Sequence, residues 1–464
     1  MAQHTLVWIR DDLRLGDNPA LQAALQSDQA TALYVTETDA GHRPDGGASR
    51  WWRAESLGLF RRDLSRVGIE LRIETGDAGV LLPQVAAEIG VDNVVWNRRY
   101  DPHGRNVDAA IKTDLASRGL QVKSYPGNVL VEPFLLKPAG APSYSVYGAY
   151  AKAVQRYGVD RPIASPAAPT PTAERDISRA SLLPWERKLS QHWQVGEAAG
   201  QEALGRFLTE RVGRYPHDRD RPGVDGTSLL SPHLRFGEIS ARQVWHSANA
   251  FAASNERDKA AIDKFLAELT WRDFNIHLMF HRPDIARIPM RDTGPERCRD
   301  DLVSLRAWQL GQTGFPIIDA GMRQLWQTGY MHNRVRMLTA SLLTKNLLID
   351  WRLGESWFWD TLVDADPANN PGNWQWVAGC GMDAAPYFRI FNPVLQGEKF
   401  DAEGDYVRRW VPELSALPSE WIHKPFAAPP PVLAKAGIVL GQTYPRPIID
   451  LLETRRRALA TTEP

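Results

Sequence analysis

The segment TLVWIRDDLRLGDNP (residues 5–19) decides the fold of the amino-terminal part of the chain. Its first five residues predict a buried strand, and Asp17, Asn18 and Pro19 then supply capping side chains and a proline suited to a first helical turn. The pattern repeats, with predicted strands at 32–35, 70–73 and 93–96 and predicted helices at about 49–67, 80–89 and 104–118. This alternation predicts an α/β fold, a doubly wound, Rossmann-like parallel sheet. Because no G-x-G-x-x-G follows the first strand, a standard dinucleotide site is not expected there.

A stretch rich in proline, alanine and serine separates this part from the rest. Residues 160–184 include SPAAPTPT (165–172), a composition that suits neither a helix nor a central strand. Beyond it the pattern is mostly helical, most clearly at 332–348, where apolar residues recur at helical spacing. We therefore predict an α/β domain at 1–130, an interdomain linker at 131–197 and an all-helical domain at 198–464.

The composition excludes several classes of protein. Lys plus Arg equals Asp plus Glu at 55 each in 464 residues, which argues against a histone-like basic protein but leaves a local basic patch open. Cys298 and Cys380 are too few for a zinc or iron–sulfur site, so we predict no metal and two buried thiols, with a disulfide as the alternative. No apolar run approaches the roughly 18 residues of a membrane span, and no signal peptide precedes the first strand.

Two clusters in the helical part contain side chains suited to ligand binding. Tyr215 followed by DGTSLLSPH (225–233) brings hydroxyls and backbone N–H groups before a helix, a phosphate-binding pattern that also fits an ordinary Ser/Thr cap. In ELTWRDF (268–274), Glu268 and Trp271 share one helical face, so a carboxylate could bond a base edge while an indole stacks on it. A partly buried Trp beside a surface Glu is the alternative.

Two further clusters lie nearer the carboxyl terminus. In MHNRVRM (331–337), Asn333, Arg336 and Met337 fall on one helical face and Arg334 points elsewhere, toward a phosphate or simply toward solvent. DADPANNPGNWQW (364–376) combines two aspartates and two asparagines with Trp374 and Trp376, which a helix would separate by about 200°. A turn followed by core tryptophans is the plain alternative for this last cluster.

Together these motifs resemble the photolyase/cryptochrome family, and within it the bacterial class I cyclobutane pyrimidine dimer photolyases. WIRDDLRLGDN (8–18) is similar to the family's amino-terminal signature, and the resemblance is densest from Ala307 to Trp410. There, GNWQW (372–376) and DAAPYFRIFNP (383–393) match closely. The resemblance implies an FAD-binding helical domain that acts on damaged DNA, in a cytoplasmic protein that we expect to be a monomer.

The resemblance also implies which residues hold the FAD, folded into a U. Asn370 matches the residue that faces flavin N5, where a neutral amide favours the fully reduced anionic flavin, and Arg336 would pair with Asp364. Leu229 stands where many relatives have a basic side chain. The implied FAD-binding residues are Tyr215, Thr227, Ser228, Leu229, Leu230, Ser231, Phe265, Glu268, Arg272, Asn333, Arg336, Asp364, Ala365, Asp366 and Asn370.

For the substrate, the resemblance implies a cavity for an extruded dimer. Trp271, Trp376 and Met337 would line it, and Glu268 and Asn333 would hydrogen-bond the lesion. The DNA would be contacted by Arg334, Arg219 and Arg272. Trp374, Trp351 and Trp308 match three tryptophans that relay an electron from the surface to the flavin.

The implied activity is light-driven repair of pyrimidine dimers, a carbon–carbon lyase reaction. A second, antenna chromophore is expected in or near the amino-terminal domain: methenyltetrahydrofolate, although DPHG (101–104) lacks the Asn-Glu pair of folate-binding members, with a deazaflavin or an empty site as alternatives. A six-four photolyase of the animal type needs a His pair where this chain has His332-Asn333. A blue-light photoreceptor is disfavoured by Asn370 and by the short tail after 449–452. A flavin redox enzyme for small molecules would not need this Trp array.

Overall fold

The computed structural model describes residues 2–166, 183–291, 298–384 and 389–460. The chain divides into two compact units, one formed by Met1–Gly213 with Ser228–Asp284 and the other by Arg214–Thr227 with Ile285–Pro464. Part of the proline-rich stretch (167–182) and part of the 383–393 motif (385–388) lie outside the described residues. The domain boundaries at 130 and 198 stay predictions, and the described part of the predicted linker includes helices at Tyr147–Tyr157 and Pro184–His192.

A parallel sheet organises the first unit, as predicted, and it has five strands. Its spatial order is β3-β2-β1-β4-β5, so the winding reverses at β1, and the carboxyl ends of β1 and β4 flank this switch point. The fifth strand was absent from the sequence prediction because its polar sequence, QVKSY, belongs to an edge strand that needs few apolar side chains. The strands are β1 (His4–Ile9), β2 (Gln29–Glu37), β3 (Glu70–Gly76), β4 (Asn93–Asn97) and β5 (Gln121–Tyr125).

The remaining regular structure is helical. The α-helices are, in chain order, α1 (Pro19–Ala24), α2 (Gly47–Arg66), α3 (Ala78–Ile89), α4 (Pro102–Ser117), α5 (Tyr147–Tyr157), α6 (Pro184–His192), α7 (Glu197–Arg206), α8 (Tyr215–Asp218), α9 (Ser231–Arg235), α10 (Ala241–Ser254), α11 (Lys259–His281), α12 (Leu302–Leu310), α13 (Pro316–Thr328), α14 (Asn333–Ser341), α15 (Trp351–Thr361), α16 (Asn369–Ala378), α17 (Pro393–Phe400), α18 (Asp405–Trp410), α19 (Ser419–Ile422), α20 (Pro430–Lys435) and α21 (Leu451–Ala460).

The start of α1 follows the sequence prediction closely. Pro19 is its first residue, and Asn18 Oδ1 accepts a hydrogen bond from the backbone N–H of Leu21 at 3.1 Å. Asp17, just before the cap, has a left-handed backbone (φ 49°) and is fully buried. Its carboxylate accepts hydrogen bonds from Ser240 Oγ at 2.5 Å and from the guanidinium of Arg242 at 3.0 Å. These hydrogen bonds of Asp17 connect the loop after β1 to the start of α10.

The second unit is built on an apolar core to which α12, α13, α14, α15, α16 and α18 contribute. The helix predicted at 332–348 is shorter than expected, because α14 ends at Ser341 and a π-helical turn covers Leu342–Asn346. The two cysteines do not form a disulfide. The prediction of two buried thiols is correct for Cys380 and wrong for Cys298, which is exposed.

Candidate active site

Glu268 and Trp271 lie one turn apart on α11 in the first unit, as the sequence predicts. The indole of Trp271 is covered on one face by the ring of Tyr147, with centroids 3.8 Å apart and planes within 4°. Tyr147 Oη donates to the carbonyl of Ala267 at 2.9 Å, which fixes the phenol in place. Burial, and then the charge of Glu268, raises the pKa of Tyr147 to about 12, so it remains a donor at neutral pH.

The next two residues of α11 bind the polypeptide itself. Arg272 donates to the carbonyls of Asn128 at 2.9 Å and Leu234 at 3.4 Å. Asp273, which sequence reasoning missed, is buried and accepts from the backbone N–H of Leu130 at 2.5 Å. Burial raises the pKa of Asp273 to about 6, against the opposing effect of Arg272. Arg272 and Asp273 therefore anchor the chain near residues 128–131, and a contact of Arg272 with DNA or flavin stays a prediction.

The predicted phosphate-binding residues of the first unit lead into α9, whose first residue is Ser231. Leu230 is the N-cap of that helix and makes no side-chain capping bond, so the alternative of a Ser/Thr cap is wrong. Leu229 has a left-handed backbone (φ 54°), which turns the segment Ser228–Ser231 sharply before the helix begins. On α11, the ring of Phe265 packs against that of Phe207 with centroids 4.6 Å apart.

In the second unit, Tyr215 opens α8 and Thr227 shares a side-chain hydrogen bond with Tyr330. The guanidinium of Arg219 lies 5.4 Å from the centre of the Tyr215 ring. The phosphate contacts predicted for Tyr215 and Thr227 stay predictions.

Arg336 and Asp364 form a two-point ion pair in this unit. Arg336 Nη1 and Nη2 lie 3.1 Å and 2.8 Å from the two carboxylate oxygens of Asp364. Arg336 Nε donates to the carbonyl of Met331 at 2.7 Å, and its guanidinium lies 5.2 Å from the centre of the Tyr330 ring. A planar guanidinium held at three points is rigid, so the pair presents a fixed polar surface. Ala365, next in sequence, is buried.

Asn370, at the start of α16, is oriented by Glu355. Its Nδ2 donates to the backbone carbonyl of Glu355 at 3.0 Å and to Glu355 Oε1 at 2.8 Å. Because both partners are acceptors, the amide nitrogen must face them, and the amide oxygen is the atom that Asn370 offers elsewhere. Asp366 Oδ1 accepts from the N–H groups of Ala368 at 2.9 Å and Asn369 at 2.7 Å, and so stabilises the start of the helix.

Two residues of the predicted binding face of α14 are accessible, and their binding roles stay predictions. Asn333 is exposed and Met337 is partly exposed, whereas Val335 and Leu338 are buried. Arg334 points elsewhere, as expected, but its charge is engaged: Nη2 lies 2.9 Å from Asp220 Oδ1, and the guanidinium lies 4.5 Å from the centre of the Phe400 ring. The helix is capped by the buried His332, whose Nδ1 accepts from the N–H of Arg334 at 3.2 Å.

Trp374 lies in the core of the second unit. Its ring meets Phe358 at 5.0 Å and Trp308 at 6.2 Å between centroids, both edge to face. A Cβ at Gly354 would lie 2.2 Å from Cη2 of Trp374, so only glycine fits beside the indole. The packing role of Gly354 could have been predicted from the sequence, because an isolated glycine inside a helix usually has a packing or functional reason.

The burial of the three tryptophans differs from what the resemblance implies. The resemblance places one end of the electron relay at the protein surface. In the structure, however, Trp374, Trp351 and Trp308 are only 3%, 6% and 0% exposed. Trp376 is partly buried on the same helix as Trp374. The relay and lesion-binding roles stay predictions.

Comparison with known proteins places this geometry in a family. Residues 265–464 match the family model described as FAD binding domain of DNA photolyase, and residues 5–172 match the one described as DNA photolyase. A deoxyribodipyrimidine photo-lyase of Agrobacterium fabrum is 48% identical over 98% of this chain and 96% of its own. Cryptochrome-1 of Arabidopsis thaliana is 35% identical over 98% of this chain and 69% of its own. The crystal structure of a bacterial class III photolyase from Agrobacterium tumefaciens superposes with a TM-score of 0.91 at 46% identity, covering 99% of this chain and 97% of that one.

The chain belongs to the photolyase/cryptochrome family. The predicted family, fold, FAD cofactor and photo-lyase enzyme class are thereby confirmed. The class within the family is not decided by these relatives, since a class III photolyase and a plant cryptochrome are among them. A search of the described helices for a membrane span found none that combines enough length with enough apolar character.

The orientation of Asn370 in the second unit suits the flavin of this family. Reduced flavin carries a proton on N5 and needs an acceptor there, and the amide oxygen of Asn370, oriented by Glu355, is an acceptor. Asn370 itself is 8% exposed, so a bond to it would form away from bulk water. The residues therefore fit the cofactor that the photolyase family model names.

The expected antenna segment of this photolyase-family chain has structural partners of its own. Asp101 Oδ1 caps α4 by accepting from the N–H of Gly104 at 2.7 Å, and His103 lies 2.6 Å from Asp39. Glu37, His42 and His103 bring possible metal-ligand atoms within 4.8 Å of one another. Both oxygens of Glu37 already accept from Arg99 at 2.8 Å, and this positive charge opposes a bound cation.

Proposed function

We propose that this chain repairs cyclobutane pyrimidine dimers in DNA in a light-driven reaction that uses reduced FAD. The observation that carries the proposal is the orientation of Asn370, whose amide nitrogen is held by Glu355 so that its oxygen is presented as an acceptor. An acceptor at flavin N5 favours the reduced cofactor that such a repair reaction requires. The 48% identity to a deoxyribodipyrimidine photo-lyase supports the same activity.

When bound and reduced, FAD supplies the electron that light makes available to the dimer. Arg336 and Asp364 provide a rigid polar surface for the cofactor. The phosphates of the cofactor are held by hydroxyls and backbone N–H groups of Tyr215, Thr227, Ser228, Leu230 and Ser231. Leu229 contributes no charge there. The protein thus positions the cofactor and supplies no covalent chemistry of its own.

The enzyme binds the lesion after it has been extruded from the stacked bases of the DNA. A dimer pairs and stacks poorly, so its extrusion costs less than that of a normal base, which itself costs a few kcal/mol. One face of Trp271 is covered by Tyr147, which leaves the other face for the lesion. From the resemblance we further infer that Met337 and Trp376 contact the extruded lesion, that Glu268 and Asn333 hydrogen-bond it, and that Arg334, Arg219 and Arg272 contact the DNA. These contacts to phosphates are independent of sequence and suit a repair enzyme.

The class I assignment and the antenna remain proposals. A class III assignment is favoured by the similarity to a class III photolyase at 46% identity, and the class I assignment rests on the motifs alone. Methenyltetrahydrofolate is the proposed antenna, with a deazaflavin or no antenna as the alternatives. A cryptochrome-type photoreceptor is the second candidate function, supported by 35% identity to Cryptochrome-1 of Arabidopsis thaliana.

The experiment compares two lesions. Purified, chemically reduced protein is incubated with thymine-dimer DNA and with six-four DNA, in blue light and in darkness. Loss of thymine dimers alone, and only in light, is expected. Repair of six-four products alone would make the chain a six-four photolyase, and repair of neither would favour the photoreceptor.

A pair of variants tests the cofactor surface. Arg336→Ala should abolish the flavin absorbance of the purified protein, because it removes the rigid guanidinium that is paired with the buried Asp364. Arg323→Ala, which removes a partly exposed arginine paired with Glu413 at 2.7 Å in the same unit, should retain it. Equal flavin content in both variants would contradict the assignment.

A further inference from the structure

Arg334, which we assign to DNA binding, already has an anionic partner within its own unit. Its Nη2 lies 2.9 Å from Asp220 Oδ1, with side chains 17% and 30% exposed. The guanidinium also lies 4.5 Å from the centre of the Phe400 ring. A phosphate that approaches Arg334 therefore meets a cation whose charge is largely compensated by a carboxylate at the same place.

The neighbouring aspartate, Asp218, has other partners. Asp218 lies 3.1 Å from Arg214, 3.6 Å from Arg221 and 2.7 Å from His217. Asp220, two residues further on, reaches across to α14 instead. The carboxylate on Arg334 is thus separate from the local ion pairs of residues 214–221.

Two further features of Arg334 concern its backbone N–H and its Nε. The backbone N–H of Arg334 donates to the buried His332, and the Nε of Arg334 is buried without a hydrogen-bond partner among the described residues. Because Nε is buried, a phosphate would meet Arg334 at its outer nitrogens, one of which, Nη2, already faces Asp220.

We propose that Asp220 competes with the DNA phosphate for Arg334, and so weakens the grip of the enzyme on DNA and speeds release of the repaired strand. This inference rests on the proposed function. Because a phosphate contact carries no information about the lesion, Asp220 weakens the binding of damaged and intact duplex by the same factor. It sets the strength and the salt dependence of binding and leaves the preference for dimers unchanged.

The test measures binding of Asp220→Asn to intact and dimer-containing duplex over a range of salt concentrations. Affinity should rise on the order of fivefold for both, in line with the upper range for a partly exposed ion pair. The log–log salt slope should steepen by up to about 0.9, the value for one additional phosphate contact. Dissociation of intact duplex should slow by a similar factor, and Asp220→Glu should behave as the wild type does.

Two controls separate this effect from a general change in charge. Glu413→Gln removes the same charge from a pair of similar exposure, Arg323–Glu413, and should leave DNA affinity unchanged. In an Arg334→Ala background, Asp220→Asn should have no effect. An Asp220→Asn affinity equal to that of Glu413→Gln, or an Asp220→Asn effect that persists without Arg334, overturns the inference. Failure of the wild type to bind or repair DNA would instead overturn the proposed function.

Discussion

Tyr147 and Trp271 stack face to face, with ring centroids 3.8 Å apart and planes within 4°. Tyr147 belongs to α5, inside the region predicted as a linker, and Trp271 to α11. The phenol is also held by its hydrogen bond to the carbonyl of Ala267, one turn before Trp271 on α11. One face of Trp271 is therefore closed, and the indole is held in a single orientation before any ligand arrives.

Removal of the phenol should weaken lesion binding. Tyr147→Ala opens the second face of Trp271 and lets the ring rotate, so binding must then order it. An aromatic pair contributes about 0.5–1.5 kcal/mol beyond its buried area, which corresponds to a rise of roughly 2- to 12-fold in the Kd for dimer DNA. Tyr147→Phe keeps the stack and should bind nearly as the wild type does. Tyr157→Ala, on the exposed side of the same helix, is the matched control; a Kd for Tyr147→Ala no different from this control would refute the role.

Photoreduction of the flavin should depend on Trp374. The ring centroids of Trp374 and Trp308 lie 6.2 Å apart. Phenylalanine is far harder to oxidise than tryptophan. Trp374→Phe should therefore lose most of the light-driven reduction of oxidised flavin, followed by absorbance, while enzyme reduced chemically still repairs dimers. Trp410→Phe, a partly buried tryptophan of the same core, should keep both properties. Equal loss of photoreduction and repair in Trp374→Phe would count against a relay.

Stability should fall in mild acid because of His332. Burial lowers the pKa of His332 to about 4, against the opposing charge of Asp220, whereas the unfolded value is 6.5. The unfolded chain therefore binds more protons between these two values, so stability is lost as the pH falls from 6.5 toward 4. The contribution lost between pH 7 and pH 5 is about 2 kcal/mol.

Replacement of His332 by a capping residue that does not titrate tests this. His332→Asn keeps an acceptor for the N–H of Arg334 and should flatten the fall in urea midpoint between pH 7 and 5. It should not abolish the fall, since burial also lowers the pKa of His277 to about 4. His217→Asn, at an exposed histidine, should leave the profile as it is. An unchanged profile in His332→Asn would show that His332 does not carry the effect.

The buried pair of Asp17 and Arg242 should be a large stabilising feature of the first unit. Asp17→Asn tolerates the left-handed backbone but leaves the buried guanidinium of Arg242 without a countercharge. Breaking a buried pair from one side typically costs about 3–5 kcal/mol. A clear drop in the thermal midpoint is expected, against little change for Asp63→Asn, whose pair with Arg66 is partly exposed. Similar midpoints for the two variants would refute the assignment.

Much of the architecture could be predicted from local patterns. Four of the five strands, the capping of α1 by Asn18 and the exposed face of α14 follow from periodicity and capping chemistry, which involve residues close together in the chain. The π-helical turn after Ser341 could not be predicted, because apolar residues at helical spacing fit an α-helix equally well. The edge strand β5 was not predicted, because it is only partly buried and its residues need not be apolar.

The sequence by itself determined the family, the fold class and the identity of the candidate site residues, because these depend on motifs and on the order of elements along the chain. Only the tertiary structure decided what those side chains contact: Tyr147 on Trp271, Glu355 on Asn370, Asp220 on Arg334, and the full burial of Trp308. Each of these contacts joins elements that are distant in sequence. Their geometry arises from the packing of whole helices, which no local pattern of residues specifies.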